Sequence, residues 1–374
     1  MTYPRMTLVI TTINVPRSLE DYARNLERFG HLTDTSALII GDRKTPHGAV
    51  ADLAAKLRMR GFDARYVGLE EQDRFLDRFP RLKPLIPFNS DNRRNIGYLM
   101  AKERGAEIIV AVDDDNFVGA DDWYEGHSLV GSTLKVKSVS CANGWFNPCR
   151  MMDMDPPIPT YARGYPYAQR HMANEETFSV SEGRVVLNGG LWLDDPDVDS
   201  LTRLTTPGRA VRLKEDRLML APGTWAPINT QNTAFHRDLL PAFYFVPVGD
   251  PVSGIAVERY GDIWAGFFAR KLIDHLDDRV TFGRPACEHR RNAHHLLGDL
   301  ELEFWSIILT DPLAEQLRSW PLTASSYADA YVELAEHLKS AEWPHRRMAA
   351  EFKSFFIKMA RAMHTWVYAC MHLD

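Results

Sequence analysis

The sequence predicts an α/β protein with a mainly parallel central sheet and helices on both of its faces. Two observations carry this. Through the first 115 residues, short apolar runs alternate with amphipathic segments at helical spacing. The connections between them are short, as in repeated strand–helix–strand units. Leu8-Val9-Ile10 is the first strand. Ser18 followed by Asp21 has the form of a capping box, and Leu19, Tyr22, Leu26 and Phe29 recur at helical spacing up to Gly30. Ala37-Leu38-Ile39-Ile40 forms a second strand that runs into Gly41-Asp42-Arg43. Val50, Leu53, Ala54 and Leu57 mark a second helix stopping near Gly61, and residues 64–67 a third strand. A helix over 92–104 precedes Ile108-Ile109-Val110-Ala111-Val112, the most strand-like run in the chain. Sheets of this kind bind ligands beyond the carboxyl ends of their strands. Gly41-Asp42-Arg43 and Asp113-Asp114-Asp115 both fall at such ends.

The texture changes over residues 140–260, where prolines cluster and Asn188-Gly189-Gly190 and Pro222-Gly223 interrupt the pattern. Long loops and short strands are expected there, in a half suited to an acceptor or substrate. A helix starts at Asp262, and the chain turns helical again after about 311. Met348, Phe352, Phe355, Phe356, Met359, Met363 and Trp366 form an apolar stripe on a final helix, a docking face against the main domain.

Composition excludes several classes. With 374 residues, 45% hydrophobic, the chain can bury a large core. Its net charge of −6 gives no bulk attraction to nucleic acid or an anionic membrane. No apolar run approaches the ~20 residues of a membrane span, and residues 1–17 lack the form of a signal peptide. Four cysteines, Cys141, Cys149, Cys287 and Cys370, make no disulfide framework in so long a chain. The expectation is a cytoplasmic protein.

Three successive carboxylates after a buried strand repel one another and lose hydration, and a divalent cation relieves both costs. If the strand continues through them, Asp113 and Asp115 face one site and Asp114 the other. Hard oxygen ligands suit Mn2+ or Mg2+; a solvated acidic turn is the alternative. His289 is a candidate to complete the coordination, with Arg290 and Arg291 beside it for diphosphate oxygens. Arg93 and Arg94 stand at the start of the helix before the acidic strand, where anions are favoured, against the alternative of a solvated helix start. Asp42 is placed to accept the N3–H of a uracil ring. Arg163 and Arg170 put two guanidiniums in the loop-rich half. Asp262 is either a helix cap or a catalytic base.

Taken in order, Thr11-Thr12-Ile13, Ile108 to Asp115, Arg163-Gly164-Tyr165-Pro166, Gly190-Leu191-Trp192-Leu193, Pro196-Asp197-Val198-Asp199, Asn232-Thr233-Ala234-Phe235, Asp262-Ile263-Trp264-Ala265-Gly266 and His289 resemble the reversibly glycosylated polypeptide family, which includes the plant UDP-arabinopyranose mutases. The resemblance covers about residues 6 to 330. It implies a GT-A type, Rossmann-like nucleotide-sugar fold; with the change of texture near 140 and the helical pattern after 311, the expected division is a nucleotide-sugar domain over 1–310, made of a UDP-binding half (1–139) and an acceptor or sugar half (140–310), and a C-terminal helical extension (311–374). It also implies Mn2+ or Mg2+ between the acidic motif and a UDP-sugar. Asp113, Asp114 and Asp115 match the acidic motif, Arg163 the glycosylated arginine, Arg170 a second required arginine, and Asp262 an acidic residue before Trp-Ala-Gly. Thr11, Asp42, Arg93, Arg94, Asp114, Arg290 and Arg291 are the expected UDP contacts; Asp113, Asp115 and His289 are the expected metal ligands. Gly261 stands where the family has a further acidic residue, and an arginine-rich composition suggests a bacterial member.

The activity expected is metal-dependent transfer of a sugar from a UDP-sugar to a protein arginine or a small acceptor, with Asp262 taking a proton from Arg163. The alternatives are pyranose–furanose interchange of UDP-arabinose, and a non-catalytic UDP-sugar-binding partner of an active homologue. Homo-oligomers are compatible with either.

Overall fold

The computed structural model describes residues 4–291, 295–343 and 347–373. The chain opens with β1 (Met6–Thr12), α1 (Ser18–Phe29), β2 (Thr35–Gly41), α2 (His47–Met59), β3 (Asp63–Val67), α3 (Leu69–Leu76), α4 (Arg94–Glu103) and β4 (Ile108–Asp113). Next come β5 (Asn116–Val118), α5 (Trp123–Ser128), β6 (Thr133–Cys141), β7 (Met152–Asp155), β8 (Glu176–Gly189), β9 (Trp192–Asp194), α6 (Ser200–Thr205), β10 (Arg209–Leu213), β11 (Arg217–Leu220) and β12 (Asn232–His236). The small pair β13 (Pro251–Val252) and β14 (Ile255–Ala256) leads into α7 (Gly261–His275), β15 (Arg279–Gly283), β16 (Cys287–His289), α8 (Leu296–Ser319), α9 (Tyr327–Ser340) and α10 (Ala349–Met371).

The main sheet has nine strands in the order β15-β11-β6-β8-β12-β4-β1-β2-β3. The expected parallel arrangement holds for β3, β2, β1 and β4. Beyond β4 the sheet is mixed: β12 runs antiparallel to both β4 and β8, and β6 antiparallel to β8. The texture of residues 140–260 suggested short strands, yet β8 is 14 residues long. Its first part pairs with β6 and its last part with β15. A second sheet, β5-β16-β9-β10-β7, stands apart from the first.

Strand alternation assigns the two faces. Leu8 and Ile10 pack with α1 and α2 residues such as Leu19, Leu26, Leu53 and Leu57. Val9, Leu38, Ile40 and Ala111 face a larger core that includes α4, α7, α8, α9 and α10. The aromatic stripe of α10 docks as expected: Trp366 Nε1 donates to Leu240 O at 3.1 Å and its ring stacks on Tyr244, while Phe356 packs on Trp264 and Trp343. Two of the expected boundaries fall inside elements. The 139/140 division lies within β6, and 310/311 within α8. The C-terminal helices therefore share one core with the sheet. The four cysteines are buried and unpaired. No helix among the described residues is long and apolar enough to cross a membrane.

Candidate active site

The parallel register sets Thr11 opposite Asp113 and Thr12 opposite Gly41, so the carboxyl ends of β1, β2 and β4 form one edge. The strand does not continue through the acidic triplet. β4 ends at Asp113, and Asp114 and Asp115 form a turn. Alternation therefore does not govern the three side chains, and each goes to a different partner. Asp113 is bound by the guanidinium of Arg94, itself buried and also donating to Thr230 O and Thr11 Oγ1. Asp114 accepts from Thr12 Oγ1 and, at 3.5 Å, from Asn14 Nδ2. Asp115 Oδ2 lies 3.4 Å from His289 Nε2. The capping box expected at Ser18 is absent, because the hydroxyl donates instead to Asp114 O at 3.0 Å. Burial and the neighbouring Asp115 charge push the Asp113 and Asp114 carboxyls upward, against the pull of Arg94 on the first and Thr12 on the second. Burial disfavours the charged His289 ring, but Asp115 and the Asp195 carbonyl outweigh it and raise its pKa.

Several expected ligand contacts have protein partners, and where the guanidinium is buried the partner offsets the cost of burial. Arg94 holds Asp113. Arg93 is buried against Gln72 Oε1 and the ring of Phe88. Arg291 pairs with Asp299 at 3.0 Å. Arg290 pairs with Glu288 at 2.9 Å and lies over Phe117, while its backbone N donates to Asp115 O. Asp42 is buried and accepts from Arg43 N and Ser90 N. Arg290 and Arg291 also line a cavity of about 680 Å3 with Asp194, Asp195, Arg203 and Arg209.

Arg163 sits in a closed clamp. Nε donates to Asp197 Oδ1 at 2.8 Å, Nη2 to Asp197 Oδ2 at 3.1 Å and Asp262 Oδ2 at 2.8 Å, and Nη1 to Asp262 Oδ1 at 2.9 Å and to Arg259 O. All five N–H groups are used. Burial opposes its charge, but the two carboxylates prevail and hold the guanidinium far above its ordinary pKa. Asp262 is thus no helix cap; the start of α7 has no side-chain cap. Two glycines allow this packing. Gly164 has φ +86, and a Cβ there would meet Ile263 Cγ2 at 2.3 Å. A Cβ on Gly266 would meet Ile228 O at 2.5 Å, so α7 lies against the segment before β12. Arg170 forms a parallel pair with Asp199 at 2.7 Å, stacked on Tyr167 at 3.7 Å.

Residues 229–231 join the acidic edge to the clamp. Asn229 Nδ2 donates to Asp197 Oδ2 at 2.7 Å, Thr230 O accepts from Arg94, and Gln231 O accepts from Asp113 N at 3.1 Å. Asn229 and Gln231 were missed by the sequence reading, as were the roles of Asp197, Asp199 and Arg259. Their signal was available only in part: Asp197 and Asp199 stand in the Pro-Asp-Val-Asp string, and residue 231 directly precedes the Asn-Thr-Ala-Phe string.

The donor set fits a divalent ion only in part. Asp115 and His289 supply an oxygen and a nitrogen at a separation two ligands of one ion can have. Asp113 is taken by Arg94, and among the described residues no three acidic, histidine or cysteine side chains gather as a ligand set.

The profile of the family described as reversibly glycosylated polypeptide matches residues 9–374. The chain belongs to that family. UDP-arabinopyranose mutase 1 of Arabidopsis thaliana is 30% identical over 319 residues, 84% of this chain and 81% of the relative. UDP-arabinopyranose mutase 1 of Oryza sativa subsp. japonica is 28% identical over 319 residues, 84% of this chain and 79% of the relative. Among solved structures, glucosyl-3-phosphoglycerate synthase from Mycobacterium tuberculosis, in complex with Mn2+ and UDP-glucose, is similar at a TM-score of 0.35 and 14% identity, over 82% of this chain and 78% of that one. The Arg163 clamp and the acidic edge are two charged clusters of this member, bridged by residues 229–231.

Proposed function

We propose that this chain is an enzyme that binds a UDP-sugar at the carboxyl edge of β1, β2 and β4, and that it interchanges the ring form of the sugar, as the names of its plant relatives describe for those proteins. The observation that carries the choice is the saturated guanidinium of Arg163. An isomerase neither gains nor loses atoms and needs no acceptor nucleophile. Transfer of the sugar to Arg163 would require a guanidinium nitrogen to lose a proton, with Asp262 receiving it, and to leave two carboxylates that hold it charged. In the arrangement described, Arg163 is a fixed cation and a poor nucleophile.

Asp115 and His289 would hold Mn2+ or Mg2+, and a bound cation would neutralise charge on the diphosphate. Asp42 and Thr12 border the place for the uridine. Arg94 holds the Asp113 carboxylate in place. Arg163, Asp197 and Asp262 form a rigid polar wall beside the sugar.

Incubation with UDP-arabinopyranose and Mn2+, followed by chromatography of the nucleotide sugars, is expected to yield the furanose form. Radiolabelled UDP-glucose followed by denaturing electrophoresis reads the transfer alternative. A labelled protein band lost in Arg163→Ala, without furanose product, would replace isomerisation by self-glycosylation.

A further inference from the structure

We propose that the cavity of about 680 Å3 at one end of the second sheet binds a free saccharide, separately from any nucleotide, through the guanidiniums and carboxylates that line it. This goes beyond the isomerase reading, which needs no second ligand.

Strand register fixes where the cavity lies. Asn116, His289, Asp194 and Ala210 stand side by side across β5, β16, β9 and β10, and Arg209 is opposite Asp155 of β7. Asp115 directly precedes β5, so at about 4.8 Å per strand the Arg209 and Asp155 side of the row is roughly 14–19 Å from it. His289 divides the row: Nε2 lies 3.4 Å from Asp115 Oδ2, and Nδ1 lies 2.7 Å from Asp195 O. No residue from the carboxyl edge of β1, β2 and β4 lines the cavity. The sugar of a nucleotide is tied to its diphosphate by a single oxygen, so a UDP-sugar held at Asp115 does not reach the far side.

The lining decides the chemistry of the ligand. Arg203, Arg209, Arg290 and Arg291 line the cavity together with Asp155, Asp194 and Asp195. Each guanidinium has a carboxylate partner, in turn Asp195, Asp194, Glu288 and Asp299. An anion would therefore meet no net positive charge. The donors are nevertheless far from used up. Arg290 gives one N–H to Glu288, Arg291 one to Asp299, and Arg203 two, to Asp195 Oδ1 and Pro196 O. The Arg203 Nε–H is buried with no acceptor among the described residues. A hydroxyl both donates and accepts, so a ligand rich in hydroxyls matches guanidiniums and carboxylates alike, where an anion matches only the former. Val198, Pro207 and Leu296 add apolar surface for the C–H faces of its rings. The volume is that of a small-molecule site.

The test is saturation-transfer NMR on the full chain without nucleotide, with xylobiose, cellobiose, maltose and lactose as probes. Signal on the ring protons of at least one probe is expected, falling roughly fivefold in Arg209→Ala and in Asp155→Ala. Both side chains are exposed, so both variants are expected to fold, which a melting curve checks. UDP with Mn2+ is expected to leave the signal in place. No signal from any probe overturns the proposal. So does a signal unchanged in both variants, which puts the saccharide elsewhere. Loss of signal on adding UDP-glucose but not UDP would give the cavity to the nucleotide's own sugar, and displacement by inorganic phosphate would make it an oxyanion site; either result overturns a separate saccharide site. A chain that binds no UDP sinks the UDP-sugar reading and leaves this proposal standing, because the probes are measured without nucleotide.

Discussion

The acidic edge and the Arg163 clamp are built from the same two side chains, aspartate and arginine, and they end in opposite conditions. In the clamp, one guanidinium meets two carboxylates and a carbonyl, and every N–H is matched. At the edge, three carboxylates share one guanidinium and one imidazole, and Asp114 has neutral hydrogen-bond partners for company. The clamp is closed to ligands, whereas the edge carries negative charge that a cation would relieve. Residue type alone does not distinguish structural from ligand-directed charge; the ratio of donors to acceptors does.

The largest effect expected from disturbing this contrast is in the clamp. Arg163→Ala leaves Asp197 and Asp262 unpaired and buried, and is expected to cost about 3–5 kcal/mol of stability in denaturant unfolding. A loss below about 1 kcal/mol, the range of exposed pairs, would show that the clamp opens freely.

The clamp also has an acid signature. Although burial alone would raise it, Arg163 and Asn229 hold the Asp197 carboxyl down at about 2. A depressed folded-state pKa contributes stability above the unfolded value of about 3.9 and loses it as the pH falls toward 2. The contribution is about 2 kcal/mol. Asp197→Asn is expected to remove that part of the pH dependence between about pH 4 and 2, read by thermal melts across the range; an unaltered acid profile would break the assignment.

At the edge the order of effects reverses, with binding changing more than stability. Asp115→Asn is expected to lower UDP affinity in Mn2+ at least tenfold, about 1.4 kcal/mol, with a smaller change in unfolding free energy. Comparable losses in both would make the edge a second structural centre. The smallest expected effect is Ser18→Ala. It removes one hydrogen bond to Asp114 O and is expected to cost about 1 kcal/mol, measured by the same unfolding titration.

The parts of the molecule legible in its sequence were those set by local periodicity. The strands around Leu8-Val9-Ile10 and Ile108 to Val112 and the docking stripe of α10 follow from apolar spacing, and the edge follows from where such strands stop. Strand direction beyond β4 did not, because β12 reaches β4 from more than 100 residues away and nothing in the five residues Asn232–His236 states the direction in which they pair. The acidic triplet was recognised, but its division among Arg94, Thr12 and His289 depends on a turn that a run of identical residues does not announce. Arg163 and Asp262 were read as partners through the family resemblance; Asp197, from a third segment, completes the clamp and has no local mark of that role. Arg93 and Arg94 pose the converse case. Their place at a helix start is the same for a ligand contact and for a buried strut, and only the fold shows that both guanidiniums are buried.

The docking of α10 bears on how the protein is made. Leu240 O and the faces of Tyr244 and Trp264 are covered only when residues 356 and 366 exist to cover them. A chain growing from its amino end displays the whole acidic edge while that apolar surface is still bare and adhesive to other chains. Until the last helix is made, that bare surface is open to wrong contacts with other unfinished chains.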